Sequence, residues 1–87
     1  MIEPQLTRVM FFASLREAMK TGSLEIAQPK PLVVRELILI ITRQSVHYQK
    51  TLSERDFLVA VNKQLVDFAA MVSPGDEVAI FPPVTGG

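Results

Sequence analysis

The sequence contains no cysteine and no tryptophan, and it has a single histidine, His47. Without cysteine the chain forms no disulfide and offers no thiolate as a nucleophile or a metal ligand. One histidine cannot assemble a zinc site by itself. We therefore expect no metal site and no cysteine-based catalysis, and we expect His47 to be a solvated side chain in a polar connection.

The chain also lacks an excess of charge of either sign. Nine Lys and Arg residues balance nine Asp and Glu residues, so the formal net charge is zero. A nucleic-acid-binding protein gains much of its affinity by neutralising phosphates, and a membrane-surface protein uses a polybasic segment. The charge balance therefore argues against a nucleic-acid partner and against a membrane partner.

Long hydrophobic runs are missing as well. The apolar run 37–41 is far shorter than the roughly 18 residues that a membrane span needs. The start of the sequence has neither the basic nor the apolar region of a secretory signal. With 87 residues, 48% of them hydrophobic, the chain has the size of one small domain. We expect a soluble, cytoplasmic domain over residues 1–81, followed by an extended tail over residues 82–87.

Apolar periodicity and the Gly and Pro breaks predict five strands and two helices. The predicted strands are 6–12, 23–27, 57–61, 64–66 and 77–81, and the predicted helices are 13–20 and 32–44. Residues 45–54 are predicted as a polar connection and residues 67–73 as irregular. This order fits a two-layer α+β roll, in which the main helix covers one face of a mixed sheet.

Local signals refine these elements. Ser14 with Glu17 three residues later has the spacing of a capping box for the first helix. Val33 stands where an N-cap Ser, Thr or Asp would be favoured, so the start of the main helix is poorly signalled. In the last strand, alternation predicts that Val78 and Ile80 face the core and that Phe81 points to the other side.

The sequence has no phosphate loop and no recognisable hydrolase motif, so the C-terminal segment 81–87 is the informative feature. Pro82 and Pro83 favour an extended path that projects from the sheet. Gly86 and Gly87 have no Cβ and suit passage through a narrow channel. We expect the carboxylate of Gly87 to be the reactive group. An ATP-dependent partner would have to activate it, because a carboxylate is a poor acyl donor.

Four segments carry a resemblance to a known family. Residues 9–17, 34–38, 58–62 and 75–87 resemble the small, sulfur-carrier subunit of molybdopterin synthase, which has the ubiquitin-like β-grasp fold. The Phe81-Pro82-Pro83-Val84 lead-in to the two glycines separates the chain from thiazole-forming sulfur carriers and from ubiquitin-related modifiers. Val33 departs from the family pattern, which typically has a capping Thr or Ser there, and Leu39 stands where the family often has a polar or small residue.

The resemblance implies a carrier that is inactive alone and binds no cofactor. A ubiquitin-activating-like adenylyltransferase would use ATP to adenylate Gly87, and sulfur from a donor enzyme would convert it to a thiocarboxylate. The tail would then enter the large subunit of the synthase, in a heterotetramer. There it would give sulfur to cyclic pyranopterin monophosphate, and two rounds would form the dithiolene.

The resemblance also implies which residues bind the partner. They are Phe12, Leu65 and Phe81 on the sheet face away from the helix, and Pro82, Pro83, Val84, Thr85 and Gly86 in the tail. For Phe12 and Leu65, packing in the core is the alternative. For the whole chain, three alternatives stay open: a thiazole-type sulfur carrier, a modifier joined to lysines through Gly87, and a β-grasp interaction module with an incidental tail.

Overall fold

The computed structural model of the chain describes residues 5–83. Within this range ten elements follow one another, seven strands and three helices. In chain order they are β1 (Leu6–Phe11), α1 (Ala13–Met19), β2 (Ser23–Ala27), β3 (Leu32–Val33), α2 (Val34–Thr42), α3 (Val46–Ser53), β4 (Leu58–Val61), β5 (Gln64–Val66), β6 (Met71–Val72) and β7 (Glu77–Phe81).

Five of the strands form one mixed sheet in the order β2-β1-β7-β4-β5. The central pair, β1 and β7, is parallel, and the other neighbours are antiparallel. The first and last strands of the described residues, β1 and β7, therefore lie side by side in the interior of the sheet. The predicted α+β architecture with a mixed sheet is confirmed. Strands β3 and β6 pair separately in a small antiparallel sheet that the sequence did not predict.

The hydrophobic core lies between the inner face of the five-stranded sheet and the helices. Burial of these side chains removes apolar surface from water, which is the main stabilising contribution to folding. The predicted core positions Val78 and Ile80 are both fully buried. Their partners in the core include Val9 and Phe11 of β1, Leu15 and Met19 of α1, Leu37 and Ile41 of α2, and Leu52 of α3.

The main helix is shorter than the predicted range 32–44, because its first two residues form β3 and α2 begins at Val34. Strand β3 pairs with β6, which occupies part of the range 67–73 that was predicted as irregular. Each strand has two residues. An isolated pair of this length gives almost no periodic signal, so the prediction was wrong at both places for the same reason.

The start of α2 has no side-chain cap, as the valine at position 33 indicated. Backbone carbonyls of the segment after β5 replace it. The N–H of Val34 donates to the carbonyl of Ala70 at 2.9 Å, and the N–H of Arg35 donates to the carbonyl of Phe68 at 3.0 Å. These two contacts satisfy N–H groups that a helix leaves without partners at its first turn.

The predicted polar connection 45–54 contains a helix, α3. Ser45 is its N-cap, and the Ser45 hydroxyl accepts a hydrogen bond from the N–H of Tyr48 at 2.9 Å. The buried side of α3 consists of Thr51 and Leu52. A stripe this narrow and partly polar does not stand out in the sequence, so the prediction was wrong. The Ser45 cap was the signal that could have found the helix.

Two further predictions near the helices were wrong. Ser14 does not cap α1, because the N-cap position is Phe12 and no side chain caps this helix. A capping box between Ser14 and Glu17 is therefore absent. His47 is exposed, as expected, but it lies on α3 rather than in a connection. Its Nε2 atom lies 2.8 Å from the carbonyl oxygen of Ala18, near the end of α1.

A buried polar cluster joins the two sheets. Thr7 and Gln28 are fully buried, and the Thr7 hydroxyl donates to the Gln28 side-chain oxygen at 2.7 Å. The Gln28 amide nitrogen donates to the carbonyl of Val72 in β6 at 2.7 Å. The N–H of Gly75 donates to the Thr7 hydroxyl at 3.3 Å. The cluster thereby holds the turn that leads into β7, the strand from which the C-terminal segment leaves.

Candidate functional site

The C-terminal segment leaves the sheet at its centre. Strand β7 ends at Phe81, Pro82 is half-buried and Pro83 is exposed. Proline has no N–H to continue the β-ladder, so the strand ends where the prolines begin. The N–H of Phe12 donates to the carbonyl of Ile80 at 3.1 Å, which ties the start of this segment to β1. The predicted tail residues Val84, Thr85, Gly86 and Gly87 lie outside the described residues.

The side of the five-stranded sheet away from the helices, here called the outer face, is apolar near the end of β7. Strand registers place Met10 opposite Ala79, Ala79 opposite Ala60, and Ala60 opposite Leu65. Residues opposite one another in neighbouring strands share a face, so these four side chains form one row across four strands. Because the two alanine side chains are small, the surface is recessed in the middle of the row, between the larger side chains of Met10 and Leu65.

A second row lies next to the first, closer to the prolines. Leu58 is opposite Phe81, and Phe12 follows Phe11, which is opposite Ile80. Phe12 is 44% exposed and Leu65 is 65% exposed, whereas Phe81 and Leu58 are half-buried. The two rows together are named the apolar patch: Met10, Phe12, Leu58, Ala60, Leu65, Ala79 and Phe81.

The structure brings the three predicted partner-binding side chains together. Phe12, Leu65 and Phe81 are all in the apolar patch, and the exposure of Phe12 and Leu65 excludes the core alternative for them. Sequence reasoning missed the other four members. The signal that could have found them is the alternation along β1, β4 and β7, which puts every second residue on the outer face.

Phe12 is held in place by its backbone. Its N–H donates a hydrogen bond to the carbonyl of Ile80 in β7. Its own carbonyl accepts a hydrogen bond from the N–H of Arg16, at 3.2 Å, in the first turn of α1. The next residue, Ala13, has φ of 54°, in the left-handed region that alanine rarely adopts. This conformation costs about 1–2 kcal/mol. The left-handed conformation of Ala13 turns the chain from strand to helix directly after Phe12. The fold therefore accepts backbone strain next to the residue whose aromatic ring lies in the apolar patch.

The charged margin of the patch lies on the side of β1 and β2. Arg8 is opposite Glu25 in β2 and opposite Glu77 in β7, and its guanidinium lies 3.7 Å from the Glu25 carboxylate. Both side chains are more than half exposed, so the pair adds little stability. Arg16 lies against Gly22, where an added Cβ would come within 3.0 Å of the guanidinium carbon. Gly22 thus leaves room for Arg16 beside the patch.

Residues 5–83 contain no group of three His, Asp or Glu side chains placed to hold a metal ion. Over the same residues, no helix has the length and apolar character that crossing a bilayer requires. What this part of the chain presents is an exposed apolar surface beside the start of the C-terminal segment. Contiguous exposed apolar patches on small proteins mark interaction sites.

Comparison with known proteins gives the family. The model of the ThiS family matches residues 9–87. A molybdopterin synthase sulfur carrier subunit from Escherichia coli is 42% identical over 82 residues, which cover 94% of this chain and all of that protein.

Solved structures share the fold. A putative molybdopterin converting factor, subunit 1, from Pyrococcus furiosus has a TM-score of 0.74 and 28% identity, over 92% of this chain and 99% of that one. A chain of the complex of subunits 1 and 2 of the molybdopterin-converting factor from Helicobacter pylori has a TM-score of 0.64 and 24% identity, over 94% of this chain and 99% of that one. The fold is the ubiquitin-like β-grasp, and the chain belongs to the ThiS family, as a relative of the molybdopterin synthase sulfur carrier subunits.

Proposed function

We propose that this chain is the sulfur carrier subunit of a molybdopterin synthase and that Gly87 carries the sulfur. The observation that carries the proposal is the similarity over nearly the whole chain to the sulfur carrier subunit from Escherichia coli. The family match extends to Gly87, so it includes the two glycines on which the chemistry depends.

The proposed chemistry starts from the Gly87 carboxylate. One carboxylate oxygen attacks the α-phosphate of ATP, pyrophosphate leaves, and an acyl-adenylate forms. Sulfide supplied by a donor enzyme attacks the acyl carbon, the bond to AMP breaks, and a thiocarboxylate remains. We assign activation to a separate adenylyltransferase, because the sequence has no phosphate-loop motif that would hold ATP.

Transfer follows in the large subunit. The thiocarboxylate sulfur attacks an oxygen-bearing carbon of cyclic pyranopterin monophosphate. The carbon–sulfur bond forms as the carbon–oxygen bond at that carbon breaks, and the oxygen leaves as water or with the phosphate. Water then hydrolyses the resulting thioester. The carrier returns to its carboxylate, and a second carrier delivers the second sulfur of the dithiolene. Gly86 and Gly87 suit this step because the absence of side chains lets the backbone enter a confined site.

The large subunit is the proposed partner of the apolar patch. In the related Helicobacter pylori structure, subunit 1 is in a complex with subunit 2. The patch lies at the base of the C-terminal segment, so a partner that covers Phe81 and Leu65 is well placed to receive that segment. Aromatic and aliphatic side chains at the centre of such interfaces carry most of the binding energy.

The test is the intact mass of the chain after incubation with the adenylyltransferase, ATP and sulfide. We expect the mass change of one oxygen replaced by sulfur, localised to Gly87 by fragmentation. The matched control carries one alanine after Gly87 and should fold normally but stay unmodified. An unchanged mass in the unextended chain would refute the proposal, and lysine adducts formed through Gly87 would identify a protein modifier instead.

A further inference from the structure

The edge of the five-stranded sheet at β5 has an open backbone hydrogen-bonding position. Asn62 and Lys63 have φ of 50° and 70°, so they form the two-residue turn in which both residues are left-handed. In such a hairpin the flanking residues, Val61 and Gln64, are the hydrogen-bonded pair. The next pair, Ala60 and Leu65, is then a non-hydrogen-bonded pair. The N–H and the carbonyl of Leu65 therefore point away from β4.

No other strand within residues 5–83 pairs with this edge, since β5 is the last strand of the sheet. Its backbone groups thus face a side that a partner strand can occupy. Strand addition to an exposed sheet edge is a recurring mode of recognition, in which main-chain hydrogen bonds give affinity and neighbouring side-chain pockets give specificity.

Apolar side chains flank the β5 edge on both faces of the sheet. Leu65 lies on the outer face and is 65% exposed. On the inner side, Phe68 is 36% exposed and stacks on Phe57, which packs against the core, with ring centroids 5.5 Å apart. An extended segment laid along β5 would meet apolar surface with both sets of its alternating side chains.

The opposite edge of the sheet, β2, also has outward-pointing backbone N–H and carbonyl groups, but it carries a charged side chain there. Hydrogen bonds from Phe11 to Gly22 and from Gln28 to Gln5 fix the paired positions, so the N–H and carbonyl of Glu25 point outward. Glu25 places a charge at the middle of this edge, a common means of discouraging strand pairing. The β5 edge has no charged residue within the strand, because its sequence is Gln-Leu-Val.

We propose that the β5 edge receives an extended segment of the partner, which pairs with the N–H and carbonyl of Leu65 and so continues the sheet. The occupant is a segment of the large subunit with alternating apolar side chains. Continuity argues for it, since Leu65 is also the end of the outer-face row that starts at Met10. This inference rests on the proposed function, because it takes the large subunit as the partner of the apolar patch.

The experiment replaces single backbone amides in the full-length chain made by chemical synthesis. At position 65 an α-hydroxy acid with the leucine side chain converts the amide N–H to an ester oxygen and leaves the side chain intact. The matched control is the same replacement at position 25, with the glutamate side chain. Affinity for the large subunit is measured by titration calorimetry, and amide hydrogen exchange of the all-amide chain is measured with and without that subunit.

We expect the ester at position 65 to weaken binding about three- to tenfold, the effect of one net hydrogen bond, and the ester at position 25 to leave it unchanged. The Leu65 amide should become protected from exchange in the complex, whereas the Glu25 amide should not. Equal affinities for the two esters, with no protection at Leu65, would overturn the inference while the complex still forms. Failure of the all-amide chain to bind at all would instead count against the proposed function.

Discussion

Truncation of Leu65 to alanine should weaken binding at the proposed interface much more than it lowers the stability of the fold. The substitution removes three side-chain carbons from a residue that is 65% exposed in the isolated chain. Each carbon buried in an interface contributes about 0.8 kcal/mol, so full burial of all three amounts to about 2.4 kcal/mol. About two-thirds of this is gained on binding, or about 1.6 kcal/mol, which corresponds to a roughly tenfold to twentyfold weaker complex.

The assay is the affinity of the isolated chain for the large subunit, with the unfolding midpoint measured in parallel. Because only about a third of Leu65 is buried in the isolated chain, the free energy of unfolding should fall by no more than about 0.8 kcal/mol. Val46→Ala on α3 is the matched control, since Val46 is 82% exposed and lies outside the apolar patch. Unchanged affinity in Leu65→Ala, or an equal loss in Val46→Ala, would show that the outer face is not the docking surface.

Three further predictions concern the scaffold and are checked by chemical denaturation. Gln28→Ala leaves the Thr7 hydroxyl and the Val72 carbonyl without their buried partner and should cost about 2–5 kcal/mol; a loss below 1 kcal/mol would contradict the proposed importance of this cluster. Lys63→Gly should add about 1 kcal/mol, because Lys63 has φ of 70° in a turn that favours Asn-Gly, and a lower unfolding midpoint would refute this reasoning. Lys20→Gly should stabilise by a similar amount, since Lys20 ends α1 with φ of 62°; destabilisation would mean that contacts of the lysine outweigh its backbone strain.

The parts of the fold that follow from sequence are those with a strong local pattern. The strands around Val9 and Val59 are short runs rich in apolar and β-branched residues, and the faces of β7 were predicted correctly from its alternation. The start of α2 was not predictable, because its first N–H groups are satisfied by carbonyls of Phe68 and Ala70, more than thirty residues away. Tertiary contacts of this kind leave no local mark in the sequence.

The candidate site also has a part that could be predicted from the sequence and a part that could not. Family resemblance pointed to Phe12, Leu65 and Phe81, but composition could not distinguish an exposed patch residue from a core residue. That distinction needed the strand register, which also added Ala60 and Ala79 as the low centre of the patch. The open backbone position at β5 could not be predicted at all, because it depends on the order of strands in the sheet.

The most direct test of the sulfur-carrier account is a single-turnover transfer experiment. The chain bearing a thiocarboxylate at Gly87 is mixed with the large subunit and cyclic pyranopterin monophosphate, and the masses of chain and pterin are followed together. We predict that the chain returns to the mass of its carboxylate and that two chains are consumed for each dithiolene formed. A thiocarboxylate that persists in the presence of both components, or sulfur lost to water with no sulfur in the pterin, would contradict the account.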